Sequence, residues 1–439
     1  MSYTAAIDQL NAMVPELYAG SGLARRKFSL SEVHTLLSAL GDPQRRIRPV
    51  LIAGTNGKGS TASTLASILS ASGMRTGLYT SPHLARVNER IRIDQTEIAD
   101  EDFARTYFRV RGAAERLVQE VSLPQLPSFF EILTAQALLH FAVAEVDVAV
   151  MEVGMGGHLD ATNVVDPLLS VITDISLDHT EWLGSTITAI TREKAGILRR
   201  GGTMITLPQD PEANQTLAAA AAELEVRAVN AEAYLPSSIA ASSYTVQALG
   251  APVEVASPLS GAHQQRNIAL AIATAVELAS AHGFPITPTS IASGIRQTRW
   301  PGRLERIEKN GVEWILDVAH NPAGAWALRS GLSSLICEKH PRCLVFSCLR
   351  DKPIAEMAQI LFPIFEQVIL TPIHSARAAS MEDLESAAKA TGKPAIRSGS
   401  VREALQWAER SGQGGVVVVS GSVYLVGEAR SLLLGEGAK

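Results

Sequence analysis

Cysteine is scarce in this 439-residue chain, which has three: Cys337, Cys343 and Cys348. An odd number without CxxC spacing excludes a disulfide framework and a thiolate zinc site, and reads as buried thiols in a reducing cytoplasm. A basic excess is missing as well. Lys and Arg total 39 against 44 Asp and Glu, a formal net charge of −5, so a general nucleic-acid binder is not expected. Local lysines and arginines still suffice for a small anionic substrate. Long apolar runs are also absent: the longest candidate, "ALLHFAVAEVDVAVMEVG", is broken by His140, Glu145 and Asp147, and no membrane span is read. The opening "MSYTAAIDQL" lacks the basic and apolar regions of a secretory signal.

What is present is an ordinary globular balance, 46% apolar and 19% charged, over a length that suggests two or three domains. Short β-branched runs alternate with Ala/Leu-rich segments, the pattern of an α/β protein with a mostly parallel sheet. Strands are expected at 49–54, 75–80, 146–153 and 168–175, with helices over 60–73 and 129–144. Residues 239–255 read as a small antiparallel edge, followed by a long helix through "GAHQQRNIALAIATAVELAS". After "TRWPGRLER" (298–306) a fresh series begins with "GVEWILDVA", "RCLVFSCL", "QVILTPI" and "GGVVVVSGS". The expected domains are therefore 1–298 and 299–439.

The stretch "LIAGTNGKGS" (51–60) places a glycine-rich loop between a strand and a helix, the context of a phosphate-binding loop. Glycines let backbone N–H groups converge, and the helix N-terminus adds partial positive charge. Thr55, Asn56, Gly57, Lys58, Gly59 and Ser60 are the candidate phosphate ligands. Lys58 would reach the β- and γ-phosphates, and Ser60 a metal or phosphate oxygen. The spacing departs from GxxxxGK[ST], because Gly59 separates Lys58 from Ser60. "VGMGGH" is not GxGxxG, which argues against a dehydrogenase.

Further motifs follow in order: "TSPHL" (80–84), "EVGMGGHLDATN" (152–163), "LDHTEWLG" (177–184), "REKAGI" (192–197), "PGRLE" (301–305), "DVAHNP" (317–322) and "GSVYLVGE" (421–428). Together with "GTNGKGS" they resemble the folylpolyglutamate synthase/dihydrofolate synthase family, a branch of the Mur ligase superfamily. The resemblance implies an N-terminal P-loop NTPase-like domain with a mostly parallel sheet and a smaller C-terminal Rossmann-like α/β domain. It also implies an ATP-dependent amide ligase. ATP would phosphorylate a carboxylate, and the amine of L-glutamate would displace phosphate from the acyl phosphate. Folate, dihydropteroate or both would be the acceptor.

The same resemblance implies catalytic roles for Lys58, Glu152, His179, Lys194 and Arg303. It puts Mg²⁺, as two ions, on Ser81, Glu152 and His179, with K⁺ as a further cation and carbamylation of Lys194. Asn267, Arg303 and Asp317 would complete the ATP site. Phe129, Phe130, Leu159, Asp160 and Ala161 would face folate, and His320, Arg377 and Ser422 would hold the incoming glutamate. His158 stands where the family usually has arginine, and the N-terminal "GSGLARRKFSL" (20–30) occupies the place of the pterin-side loop. Asp178 is a candidate to orient His179. A monomer without nucleic-acid or membrane partners is expected. A peptidoglycan-type Mur ligase with another acceptor and a non-ligating, ATP-hydrolysing regulator are the alternative readings.

Overall fold

A computed structural model describes residues 2–13, 29–237, 243–336 and 338–435. Most of "GSGLARRKFSL" and Cys337 lie outside the described residues.

Eight strands form the first sheet: β1 (Pro49–Ala53), β2 (Thr76–Tyr79), β3 (Ile91–Ile93), β4 (Thr96–Glu97), β5 (Val148–Glu152), β6 (Leu169–Ile172), β7 (Thr203–Thr206) and β8 (Arg227–Asn230). Their spatial order is β4-β3-β2-β5-β1-β6-β7-β8. Strands β2, β5, β1, β6, β7 and β8 pair in parallel, and β3 and β4 close one edge antiparallel. In β1, β2, β5 and β6 every residue is buried. Alternate residues enter opposite cores, Leu51, Met151 and Ile172 on one face and Val50, Val150 and Val171 on the other. Each such side chain is worth roughly 1.5–3 kcal/mol on burial, so both faces must be covered by helices. Lys58–Ala71 and Ala262–His282 cover one face, and Phe129–Val143 covers the other.

The expected strand and helix positions in this half agree with the observed ones to within three residues at each end. Residues 239–255 differ. Strands β9 (Tyr244–Ala248) and β10 (Ala251–Val255) pair only with each other, not with the main sheet. Their alternate Val246, Val253 and Val255 pack into the core beneath the long helix, which anchors the hairpin without any ladder to the sheet.

The second sheet comprises β11 (Glu305–Lys309), β12 (Val312–Asp317), β13 (Arg342–Phe346), β14 (Gln367–Leu370), β15 (Ala395–Arg397) and β16 (Val416–Ser420). Its order is β11-β12-β16-β13-β14-β15, with β11 antiparallel and the rest parallel. It too carries a core on each face. The two sheets turn their strand carboxyl ends toward a common gap. The halves also touch closely: a Cβ on Gly427, in the helix Val423–Leu434, would lie 2.0 Å from the carbonyl oxygen of Leu84.

Candidate active site

Open α/β sheets bind ligands beyond the carboxyl ends of their strands. Here β2, β5, β1 and β6 are neighbours, so the segments leaving them (Ser81, Glu152, the 54–60 loop and Asp174) are set side by side.

The glycine loop is shaped by close approach. Gly57 has φ 90°, and a Cβ there would sit 2.1 Å from Asn267 Oδ1. A Cβ on Gly59 would meet the indole of Trp300 at 2.6 Å. The backbone amides of Thr55 and Asn56 both donate to the carbonyl of Asp174, at 2.9 and 3.1 Å. The Asp174 carboxylate in turn accepts two bonds from Arg266, one residue before Asn267. Lys58, the first residue of its helix, folds back so that Nζ donates to the carbonyls of Gly54 and Thr55 at 3.1 and 3.2 Å.

Glu152 ends β5 and is buried. Its Oε2 accepts the backbone N–H of Ser81 at 3.0 Å. Burial raises its pKa, while Lys58, the Ser81 amide and Arg303 pull it down. Lys194, near the end of Ile187–Ala195, is buried and donates to the Gly54 carbonyl at 2.8 Å. Burial, helped by the Lys58 charge, lowers its pKa to about 7. His179 has φ 50° and is lowered to about 4, chiefly by burial, so its ring is neutral at pH 7. Arg303 is half-buried, between the charges of Asp317 and Glu152. The Asp317 carboxylate caps the turn that carries Arg303, accepting from the amides of Leu304 and Ala319 at 2.9 Å each.

Three connected clefts result. The first, about 350 Å³, is walled by the whole 54–60 loop, Ser81, Glu152, His179, Lys194, Asn267, Arg303, Asp317 and His320. Every residue expected for ATP, metal and catalysis meets there. The second, about 290 Å³, is lined by Phe130, His320, Arg377 and Ser422 among others. A third, about 880 Å³, opens between Trp182 and the exposed Trp326. His179 lines all three.

The folate-side expectations divide. Phe130 reaches the second cleft and leans on Tyr79, with ring centroids 5.9 Å apart. Phe129 instead packs beneath Arg90, whose guanidinium lies 5.2 Å from the ring centre. Leu159, Asp160 and Ala161 line none of the three clefts. The Asp160 carboxylate binds Thr162 Oγ1 at 2.5 Å and the amides of Met155 and Thr162 at 2.9 and 3.0 Å, so it builds the loop from within. On the glutamate side, Ser422 caps its helix by accepting from the Tyr424 amide, and Arg377 pairs with Asp351 at 2.7 Å.

Sequence reasoning missed Lys352, Asn321, Arg90 and Trp300. "DVAHNP" contains Asn321 and "TRWPGRLER" contains Trp300, so a signal existed for both. Lys352 and Arg90 sit among other charged residues in no motif, and offered none. Asp178 does not hold the His179 ring. Its Oδ1 accepts the His179 backbone N–H at 2.9 Å, and its other partners come from the second sheet. Burial would raise the pKa of Asp178, but the neighbouring His320 and the charge of Lys352 hold it well below the usual carboxylate range.

The fit for a metal rests on the donor set. No three His, Cys, Asp or Glu side chains among the described residues form a metal-binding group. Glu152, neutral His179 and Ser81 line the first cleft together, and such a short donor set would fit Mg²⁺, an ion that retains waters and takes substrate phosphates.

Comparison with known proteins agrees with this geometry. The family model "Mur ligase middle domain" matches residues 52–275, and "Mur ligase, glutamate ligase domain" matches 302–423. The folylpolyglutamate synthase of Lacticaseibacillus casei is 37% identical over 99% of this chain and 99% of its own. The dihydrofolate synthase/folylpolyglutamate synthase of Bacillus subtilis is 34% identical over 93% of this chain and 95% of its own. A solved FPGS–AMPPCP–folate complex superposes with a TM-score of 0.84 at 34% identity, covering 99% of this chain and all of that one.

Proposed function

The chain belongs to the folylpolyglutamate synthase/dihydrofolate synthase family of Mur ligases, and from that premise we propose that it is an ATP-dependent ligase that adds L-glutamate to a folate. The observation that carries the reading is the convergence of loop 54–60, Glu152, Lys194 and Arg303 in one cleft, continuous with a second cleft bearing Arg377 and Ser422.

A carboxylate is a poor electrophile until one oxygen becomes a leaving group. The loop amides and Lys58 would hold the triphosphate, and the Arg303 fork would meet the transferring phosphoryl group. The acceptor's carboxylate oxygen attacks the γ-phosphorus and ADP leaves. The glutamate amine, after losing a proton, then attacks the acyl carbon and expels phosphate. Positioning and charge neutralisation supply most of the acceleration. When bound, Mg²⁺ would neutralise phosphate charge; Glu152, His179 and Ser81 would hold it. Lys194, partly neutral near pH 7, is fit to take up CO₂ as a carbamate with release of a proton. His320, Arg377 and Ser422 would hold glutamate, and Phe130 would meet the acceptor's aromatic part. K⁺ dependence, monomeric state and cytoplasmic residence belong to the same reading. The division at about residue 298, between the two sheets, is its hinge. No helix among the described residues is long and apolar enough to cross a membrane.

Dihydropteroate is a second acceptor in this reading, supported by the double activity in the name of the Bacillus subtilis relative. The test is incorporation of labelled glutamate by the pure protein with dihydropteroate and with tetrahydrofolate. Product with tetrahydrofolate is expected. ATP consumption that never responds to glutamate or folate would instead mark a non-ligating hydrolase.

A further inference from the structure

The geometry points to a latch, in which Lys352 and Asn321 of the second sheet's half position His179 of the first through the carboxylate of Asp178. Asp178 Oδ1 accepts from Lys352 Nζ at 2.7 Å, and Oδ2 accepts from Asn321 Nδ2 at 2.9 Å. His320 Nε2 lies 3.6 Å from Oδ2. Asn321 Nδ2 also donates to Asn56 Oδ1 of the glycine loop at 3.1 Å. One carboxylate of the first half is therefore gripped by two side chains of the second, with His320 beside them.

The Lys352 and Asp178 side chains are 5% and 9% exposed. A pair so far from water is strongly interdependent, because removing either partner leaves an uncompensated buried charge. Parting of the two halves would hydrate both groups, so the pair forms only when the halves are docked. The same carboxylate accepts the His179 N–H. His179 sits in the left-handed region, which residues bearing a Cβ adopt in only a few per cent of cases. Docking thus fixes Asp178, and Asp178 fixes the turn that carries the His179 ring. Because His179 faces all three clefts, slack in this turn reaches each of them. Lys352 and Asn321 are positioning residues for the reaction centre. The activity arm below rests on the ligase reading, but the shape arm does not.

The experiment compares Asp178→Asn, Lys352→Met and the double variant in the full chain, each checked for native circular dichroism. Small-angle X-ray scattering with AMPPCP and Mg²⁺ reads docking, and steady-state kinetics reads kcat and the KM for glutamate. Each single variant should enlarge the radius of gyration and lower kcat by about tenfold or more, with the glutamate KM changing less than about threefold. The double variant, which orphans no charge, should be no worse than the worse single. Multiplied losses in the double would overturn the latch. Unchanged compaction in both singles, or a Lys352→Met effect confined to the glutamate KM, would do the same. If the unaltered chain ligates nothing, scattering alone still decides.

Discussion

The first and second clefts are built by different means. The first is mostly backbone and strand ends. Glycines 54, 57 and 59 shape it, the sheet order puts Ser81, Glu152 and Asp174 beside them, and neighbouring side chains close in to within a methyl group. The second is a meeting of side chains from segments far apart in sequence, Phe130 with Arg377 and Ser422. A backbone-made site tolerates almost no change in shape. One made of side chains loses contacts one at a time.

Gly57→Ala tests the rigid side of that contrast most severely. A methyl group 2.1 Å from Asn267 Oδ1, on a residue with φ 90°, must displace loop or helix. Nucleotide binding by calorimetry should vanish, and turnover should fall on the order of 10²–10³-fold. A loss below about tenfold would mean that the loop is softer than its packing implies.

Lys194→Ala comes next, with an expected loss of about 10²-fold and partial recovery when a small carboxylate such as acetate is added to replace the missing anion. The pKa near 7 sets a direction. Below it the ammonium form dominates and cannot take up CO₂; above it the free amine dominates. A ¹³C-carbamate signal from labelled bicarbonate should therefore grow as pH rises from 6 to 8. Full activity in the alanine variant, with no response of any variant to bicarbonate, would remove the carbamate from the reading.

Leu159→Ala should do least. Leu159 is 42% exposed and lines none of the clefts, so kinetics with every acceptor should stay within about twofold. A larger rise in folate KM would bring the 159–161 loop back to the acceptor.

Much of the first cleft was legible in the sequence because its parts are punctuation: glycines after an apolar strand, a carboxylate at a strand end, a Pro-Gly turn before Arg303. Sheet membership was legible where strands were apolar on both faces. Strands β3, β4, β7, β8, β11 and β15 were not marked, being short, partly polar strands at the sheet edges or next to them. "PSFFE" was read for its aromatics, yet Ser128 and Glu131 there form a reciprocal helix cap, Glu131 Oε2 accepting the Ser128 amide at 2.7 Å. That cap fixes where the helix starts, and hence that Phe130 enters the cleft while Phe129 does not. The Asp178–Lys352 pair spans 174 positions, and no local pattern announces a bond of that range.

Gly427 sets how near the two halves can come. With Leu84's carbonyl where a side chain would begin, the two halves approach until backbone nearly meets backbone, with no cushion between them. The width of the reaction chamber is thus metered by an atom that is missing: any larger residue at 427 would act as a doorstop, holding the jaws apart and admitting water to whatever lay between them.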